Sequence, residues 1–194
     1  FPILDGAETL YHYYNIKEDG SLRGNHAYEL SFKDPLCGQR AVQAITAIEE
    51  YCNKAGVLPS CSPRTSFHVH LNILDMTPNS LLNLILIYYV MEPLLFAYVS
   101  PSRSSSTFCV PWKRNTSDKR SLINFAASQR GVYAETSITA RDSLLRLARA
   151  SHKYTALNLR TVGTFGSVEF RQHQGIFRTK DALTWVNILL SLRV

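Results

Sequence analysis

The segment Ser66-Phe67-His68-Val69-His70-Leu71-Asn72-Ile73 alternates polar and apolar residues with a period of two. Because a β-strand sends successive side chains to opposite faces, this pattern predicts a strand with one polar and one apolar face. The polar face carries His68 and His70, roughly 6.6 Å apart along the strand. Core packing does not require two imidazoles on one face, so the segment predicts a site that needs metal ligands or phosphate-facing donors.

A second segment, Gly166 to His173, repeats this alternation. Its predicted polar face carries Ser167, Glu169, Arg171 and His173. A carboxylate and a guanidinium are costly to bury without partners, so they suit the lining of a cleft. The alternative for either strand is a polar face that only meets solvent, as in many antiparallel sheets. The two strands together favour a shared site.

Composition and charge set the class of protein. The chain has 194 residues, of which 45% are hydrophobic and 19% charged, and this predicts one globular domain over residues 1–194. The net charge of +6 is compatible with ATP, nucleic acid or acidic surfaces. The arginines are scattered, which argues against a dedicated nucleic-acid module.

The four cysteines and the first residue bear on the cellular setting. No two cysteines have the two-residue gap of a zinc or redox motif, so we expect free thiols in a reducing, cytoplasmic compartment. The chain begins at Phe1 without a signal peptide or an initiator methionine, which predicts a fragment or a processed product.

One apolar segment, residues 81–99, has the length of a membrane span. It contains Glu92, which is expensive in a bilayer, and Pro93, which breaks the helical hydrogen-bond ladder. The segment therefore predicts a buried helix and no membrane partner, with a transmembrane span as the alternative.

The remaining periodicities predict a mixture of helices and strands. The predicted helices cover residues 39–54 and 139–149 and begin again at residue 179, the predicted strands cover 27–32 and 155–161, and 101–106 and 113–120 are predicted loops. Because these elements mix without strict alternation, they predict an α+β fold with helices on one face of an antiparallel sheet.

Polar residues in unexpected settings extend the candidate site. These are Glu29 on a predicted strand, Glu92 in the apolar helix, Arg103 in the loop after it, and Asn158 in the hairpin that precedes Glu169. Carboxylates with histidines can hold a divalent metal ion, and arginines can hold anionic oxygen.

In order and spacing these residues resemble the amidoligase family, the phage and fungal branch of the carboxylate–amine ligases related to glutamine synthetase. The similar region runs from about Tyr14 to the C terminus. It comprises Asp19–Leu22, Tyr28-Glu29-Leu30, His68-Val69-His70, Glu92, Ser102-Arg103 with Phe108-Cys109 beyond it, Asn158, Val168-Glu169-Phe170-Arg171 and Trp185. His-x-His or Glu-x-Arg alone is a weak signal, and the ordered series is more specific.

The resemblance implies a fold and a reaction. The fold would be a curved antiparallel sheet with helices packed on its outer face, as in the catalytic domain of glutamine synthetase. The reaction would be ATP-dependent amide formation, in which a carboxylate takes the γ-phosphate and an amine attacks the resulting acyl phosphate. This chemistry requires Mg²⁺ bridging the phosphates and cations on the transferring group.

By the same resemblance, metal and nucleotide would be held by two carboxylates and two histidines. Glu29 and Glu169 would face the metal, and His70 would join them. His68 or His70 would contact metal or phosphate, together with Arg171.

The other matched residues would act on the reacting groups. Arg171 and Arg103 would stabilise the phosphoryl group or the substrate carboxylate. Glu92 would bind metal or the incoming amine, and Asn158 would position its neighbours.

One departure from the family concerns the first strand. The family opens with a Glu-x-Glu strand that serves the metal and nucleotide site, and neither Asp5 nor Glu8 forms that pattern here. We therefore expect that the sequence begins inside the domain or that the first strand is lost. In the second case the metal site would be incomplete.

Two other functions stay open at this point. One is a zinc hydrolase that uses His68, His70 and either Glu169 or His173. The other is a catalytically inactive structural or binding module, for example in a phage particle. The carboxylate and the amine, which could be peptides, amino acids or side chains, and the oligomeric state are not determined by the sequence.

Overall fold

The computed structural model describes residues 7–22, 27–57, 59, 62–114, 116–129 and 138–193. Asp5 and Cys61 lie outside these ranges. The elements are α1 (Glu8–Tyr13), β1 (Tyr14–Glu18), β2 (Tyr28–Phe32), α2 (Gly38–Ala55), β3 (Ser66–Asn72), α3 (Pro78–Tyr98), α4 (Thr116–Gln129), α5 (Ile138–Ala150), β4 (Leu157–Asn158), α6 (Thr161–Phe165), β5 (Ser167–Gln174) and α7 (Thr179–Leu190). The prediction of a mixed fold with antiparallel strands and helices is confirmed. The strands form two small sheets in the described residues, one of two strands and one of three.

The described chain divides into two compact units. One consists of residues 1–65 and 175–187, and the other of residues 66–174 and 188–194. The expectation of one domain over residues 1–194 stays a prediction.

The first unit contains the antiparallel pair β1 and β2 with helices α1 and α2. Its core includes Leu10, Tyr14, Ala44 and Ala47, and the Tyr14 hydroxyl donates a 2.8 Å hydrogen bond to the Ala44 carbonyl. Helix α2 confirms the helix predicted from residue 39. It ends at Gly56, whose φ of 62° is the left-handed conformation that glycine adopts without strain.

The second unit contains the three-stranded sheet in the order β3-β5-β4, with both pairs antiparallel. The predicted His-x-His strand is confirmed as β3. Helix α3 packs against the apolar face of this sheet, where the Tyr88 ring lies 5.8 Å from the Phe170 ring. This packing leaves the polar faces of β3 and β5 on the other side of the sheet.

Helix α3 covers most of the apolar segment 81–99 that predicts a helix, and it begins before that segment, at Pro78. The side chain of Thr77 caps it by accepting a 3.1 Å hydrogen bond from the Ser80 N–H, and the helix continues through Pro93. Among the described residues, α3 is the one helix long and apolar enough to cross a membrane, and 39% of its most apolar window is buried in the protein. Its exposed side carries Leu86, Val90 and Leu94.

Two expectations about local structure were wrong. The predicted loop at residues 113–120 is a 3₁₀ turn at Trp112–Arg114 followed by α4. The predicted strand at 155–161 narrows to the two residues of β4. A local pattern does not report the tertiary contacts that override it in such segments.

Candidate functional site

The pairing of β3 with β5 brings the two polar strand faces together. His70 lies opposite Glu169 in the antiparallel register, and Asn158 of β4 lies opposite Glu169 on its other side. Residues that pair across antiparallel strands share a face. Three elements that are far apart in sequence therefore converge on one carboxylate.

Glu169 is the centre of this cluster. Its Oε1 lies 2.7 Å from Nη1 of Arg171 and 3.1 Å from Nδ1 of His68, and its Oε2 accepts a 2.6 Å hydrogen bond from Nδ2 of Asn158. Nε2 of His70 is 3.9 Å from the same Oε1. Both carboxylate oxygens are thus engaged, and only 7% of the side chain is exposed.

The surroundings of Glu169 keep it ionised. Burial acts to raise the pKa of this carboxyl, but the hydrogen bond and charge of His68, the charge of Arg171 and the hydrogen bond from Asn158 together lower the pKa from its ordinary 4.5 to about 2. This is the balance expected of a buried acid with charged and neutral donors around it.

We expect this pKa to make stability depend on pH. The folded pKa lies below the unfolded one, so Glu169 contributes its full stabilisation, about 3 kcal/mol, above about pH 5 and loses it as the pH falls towards 2. Urea unfolding at a series of pH values will measure this for the wild type and for Glu169→Gln, which keeps the shape and does not titrate. The difference between the two should shrink on acidification; a constant difference from pH 7 to pH 3 would contradict the assigned pKa.

The two histidines of β3 have different surroundings. Both ring nitrogens of His68 are engaged, Nε2 at 2.6 Å from the Ser66 hydroxyl and Nδ1 at Glu169. His70 is 43% exposed, and its Nδ1 lies 3.0 Å from the Ser167 hydroxyl. Burial lowers the pKa of His70 more than the charge of Glu169 raises it, so the ring is neutral at pH 7. His70 is therefore the imidazole better placed to meet a ligand.

Arg171 is held from three sides. Besides the bond from Nη1 to Glu169, its Nε donates a 3.2 Å hydrogen bond to the Phe108 carbonyl, and its Cζ lies 5.9 Å from the centre of the Tyr154 ring. Nη2 makes no hydrogen bond to the described residues. The guanidinium is thus fixed in direction with one nitrogen left for an anion.

Tyr154 and Phe108 were not assigned to the site from the sequence. They approach each other because Val110 forms a parallel bridge with Thr155, with the Val110 N–H donating to the Tyr154 carbonyl at 2.7 Å. The rings meet edge to face with their centres 5.4 Å apart. No sequence pattern signals this bridge, because it joins two irregular segments.

Asn158 contacts Glu169 from the β4 side, and its predicted positioning role stays a prediction. Its amide nitrogen holds Oε2 of Glu169, and its amide oxygen accepts a 2.9 Å hydrogen bond from the Arg160 backbone N–H. Because both ends of the amide are engaged, Asn158 fixes the carboxylate against the chain that follows β4.

His173 is separated from the other polar residues of β5 by a register shift. Phe67 pairs with His173 and Val69 with Phe170, so two residues of β5 oppose His68 alone. This β-bulge turns His173 to the face of Phe67, where its ring lies 6.3 Å from Tyr98 of α3. The predicted alignment of His173 with Glu169 is therefore wrong.

Glu92 lies on the α3 side of the sheet. Its Oε1 accepts a 2.7 Å hydrogen bond from the Trp112 N–H and a 3.1 Å bond from the Tyr88 hydroxyl, and its Oε2 accepts a 3.1 Å bond from the Lys113 N–H. The residue is 1% exposed. The structure does not bring Glu92 together with Glu169, and its predicted contact with metal or amine stays a prediction.

Arg103 is fully buried in the 3₁₀ turn Pro101–Ser105. Its Nη2 donates to the Arg171 carbonyl at 2.8 Å and its Nε to the Gln172 carbonyl at 3.0 Å. It reaches the site through the backbone of β5, and its predicted contact with a phosphoryl group stays a prediction.

Glu29 belongs to the first unit, whereas the other seven candidate site residues belong to the second. It is exposed on β2, opposite Lys17 in the register. Its predicted role beside Glu169 stays a prediction.

The described residues do not form a preorganised metal cage. No group of three or more His, Cys, Asp or Glu side chains among them is arranged to hold a metal ion. The donor chemistry agrees, since Glu169 is already neutralised by Arg171 and both nitrogens of His68 are in use. The cluster fits an anionic oxygen better than a resident cation. The zinc ligand set expected for a hydrolase fails for the same reason, and His173 lies on the other face.

A comparison with family models identifies the family to which the chain belongs. The model described as "Putative amidoligase enzyme" matches residues 10–193. The chain belongs to this amidoligase family. The resemblance seen in the sequence is thereby confirmed, and the match covers both units. Among curated proteins and solved structures, none matches this amidoligase.

Proposed function

We propose that this amidoligase joins a carboxylate to an amine at the expense of ATP. The family supports the ligase class. The observation that carries the proposal is the fixed guanidinium of Arg171, whose Nη2 is left for an anion beside the accessible imidazole of His70. A glutamine-synthetase-like arrangement with a curved sheet, and a reducing cytoplasm in which the free thiols of Cys37, Cys52 and Cys109 persist, are parts of the same proposal.

The proposed reaction has two steps. A carboxylate oxygen of the substrate attacks the γ-phosphorus of ATP, ADP leaves, and an acyl phosphate forms. The amine then attacks the acyl carbon, inorganic phosphate leaves, and the nitrogen loses a proton to give the amide. In both steps negative charge develops on oxygens, and fixed cationic donors stabilise it without reorganising.

The residues of the second unit have distinct roles in this scheme. Arg171 binds the phosphoryl or carboxylate oxygen through Nη2. Glu169 holds Arg171 and His68 in place, and Asn158 holds Glu169. Mg²⁺ enters with ATP as part of the MgATP substrate, for which one or two protein carboxylates suffice because the phosphates and waters supply the other ligands. Glu169 and His70 of the second unit are the proposed protein contacts of that ion.

The proposal is tested by trapping the acyl phosphate. The protein is incubated with MgATP, a mixture of amino acids and acidic peptides, and hydroxylamine, which converts an acyl phosphate into a hydroxamate. We expect ADP and hydroxamate in equal amounts, and a rise in melting temperature on addition of MgATP. Neither product nor stabilisation would overturn the proposal and favour an inert binding module.

Arg171→Lys tests the role of the guanidinium in this assay. Lysine keeps the charge but cannot contact Phe108, Glu169 and a ligand at once, so we expect hydroxamate formation to fall about 100-fold with the fold retained. Arg160→Lys is the matched control, because Arg160 is exposed and contributes only its backbone N–H to Asn158. A wild-type rate for Arg171→Lys would remove Arg171 from the site.

A further inference from the structure

The β-bulge in β5 decides which side chains face the candidate site. Arg171 and Gln172 together oppose His68, since the pairs on either side are Phe67 with His173 and Val69 with Phe170. Such an extra residue leaves carbonyl and amide groups of the bulged strand without their usual ladder partners. A bulge therefore needs other donors to hold it.

Arg103 supplies donors to both residues of the bulge. Its Nη2 and Nε donate to the carbonyl oxygens of Arg171 and Gln172 at 2.8 Å and 3.0 Å. The guanidinium also contacts the thiol of Cys109, whose pKa burial raises to about 11. A buried guanidinium is costly unless its hydrogen bonds are made, so its place here is specific.

The bulge sends neighbouring side chains to opposite faces of the sheet. Arg171 points to Glu169, whereas the Gln172 amide donates a 2.6 Å hydrogen bond to the Tyr88 hydroxyl of α3. In a strand without a bulge, His173 would return to the face of Arg171. The extra residue instead keeps a third imidazole, that of His173, away from the face that carries His68, His70 and Glu169.

We propose that Arg103 is a positioning residue, which clamps the two carbonyl groups of the bulge and thereby directs the Arg171 guanidinium towards Glu169 and the ligand. The position of Arg103 at the bulge follows from the hydrogen bonds described above. Its effect on catalysis rests on the proposed ligase function. Arg103 does not touch substrate in this scheme. It acts through the backbone of the residue that does.

The test is Arg103→Lys, which keeps the charge but cannot reach both carbonyls with a planar fork. Arg114→Lys is the matched control, because Arg114 donates to the Ser104 carbonyl in the same 3₁₀ turn and does not touch the bulge. The first readout is the side-chain Nε–H resonance of Arg171 in ¹⁵N NMR spectra, identified by its loss in Arg171→Lys. We expect it to shift and to exchange faster with water in Arg103→Lys and to stay unchanged in Arg114→Lys.

The second readout is the trapped hydroxamate. We expect kcat to fall about 100-fold in Arg103→Lys, since a small displacement of a catalytic group is enough for such a loss. We expect the KM for MgATP to change by less than about threefold, because no nucleotide contact is removed. If the wild type forms no hydroxamate, the ligase proposal fails, and the NMR readout still tests the position of Arg171.

Two results would overturn the positioning role. One is an unchanged Arg171 resonance in a folded Arg103→Lys protein. The other is loss of the whole fold in both Arg103→Lys and the milder Arg103→Gln, because Arg103 would then stabilise the protein generally and not the bulge in particular.

Discussion

Glu169→Ala is expected to abolish hydroxamate formation from MgATP, with a loss of at least about 1000-fold, because Arg171 and His68 lose their common partner. Without the carboxylate, Nη1 of Arg171 has lost its counter-charge and Nδ1 of His68 its 3.1 Å partner, and the guanidinium is free to leave its contact with Phe108. The same assay that traps the acyl phosphate measures the loss.

The variant also tests whether the fold survives. Breaking a buried ion pair from one side costs about 3 kcal/mol, so the variant should still fold at neutral pH if the wild type has ordinary stability, and circular dichroism will report this. Glu50→Ala, which removes an exposed carboxylate from α2, is the matched control and should keep full activity. Unchanged turnover in a folded Glu169→Ala protein would place the chemistry elsewhere.

Glu92→Leu is expected to give the largest loss of stability, about 4 kcal/mol. Three donors lose their acceptor at once, namely the buried N–H of Trp112, the buried hydroxyl of Tyr88 and the partly buried N–H of Lys113. These contacts also explain why residues 112–114 form a 3₁₀ turn. Urea unfolding monitored by tryptophan fluorescence measures the change.

Tyr88→Phe is the graded comparison for Glu92. It removes the hydroxyl that Glu92 accepts from and that Gln172 donates to, and we expect a loss of about 1–2 kcal/mol. If Glu92 serves the reaction, as the family resemblance implies, Glu92→Gln should lose activity while losing less stability than Glu92→Leu, because its amide oxygen still accepts from Trp112 and Tyr88 and only the Lys113 N–H loses its acceptor. A loss below about 1 kcal/mol in Glu92→Leu would contradict the structural role derived from its hydrogen bonds.

The two predictions separate the faces of the three-stranded sheet. On one face Arg171 neutralises Glu169, while His68 and Asn158 contact its carboxylate. On the other face Glu92 satisfies backbone groups beneath α3. Two buried carboxylates of the same unit thus have different partners. We expect Glu169→Ala to affect activity more than stability, and Glu92→Leu to affect stability more than activity.

Local patterns in the sequence are sufficient to locate the elements that carry the candidate site. Strict alternation predicts β3 and the first part of β5, because a strand with one buried face must alternate. The long apolar run predicts α3, and the ordered series of polar residues was sufficient to indicate the family that the family model confirms. These are local or ordered features, which a linear pattern records.

Which of those residues meet depends on contacts that no local pattern records. The bulge between Arg171 and His173 breaks the alternation that the sequence predicted. The hydrogen bonds of the Arg103 guanidinium and the pairing with β3 hold this bulge. Glu92 and Asn158 look alike in sequence as isolated polar groups, yet one meets backbone N–H groups and the other meets Glu169. Such partners come from segments many residues away, so their hydrogen bonds exist only once the sheet and α3 have packed.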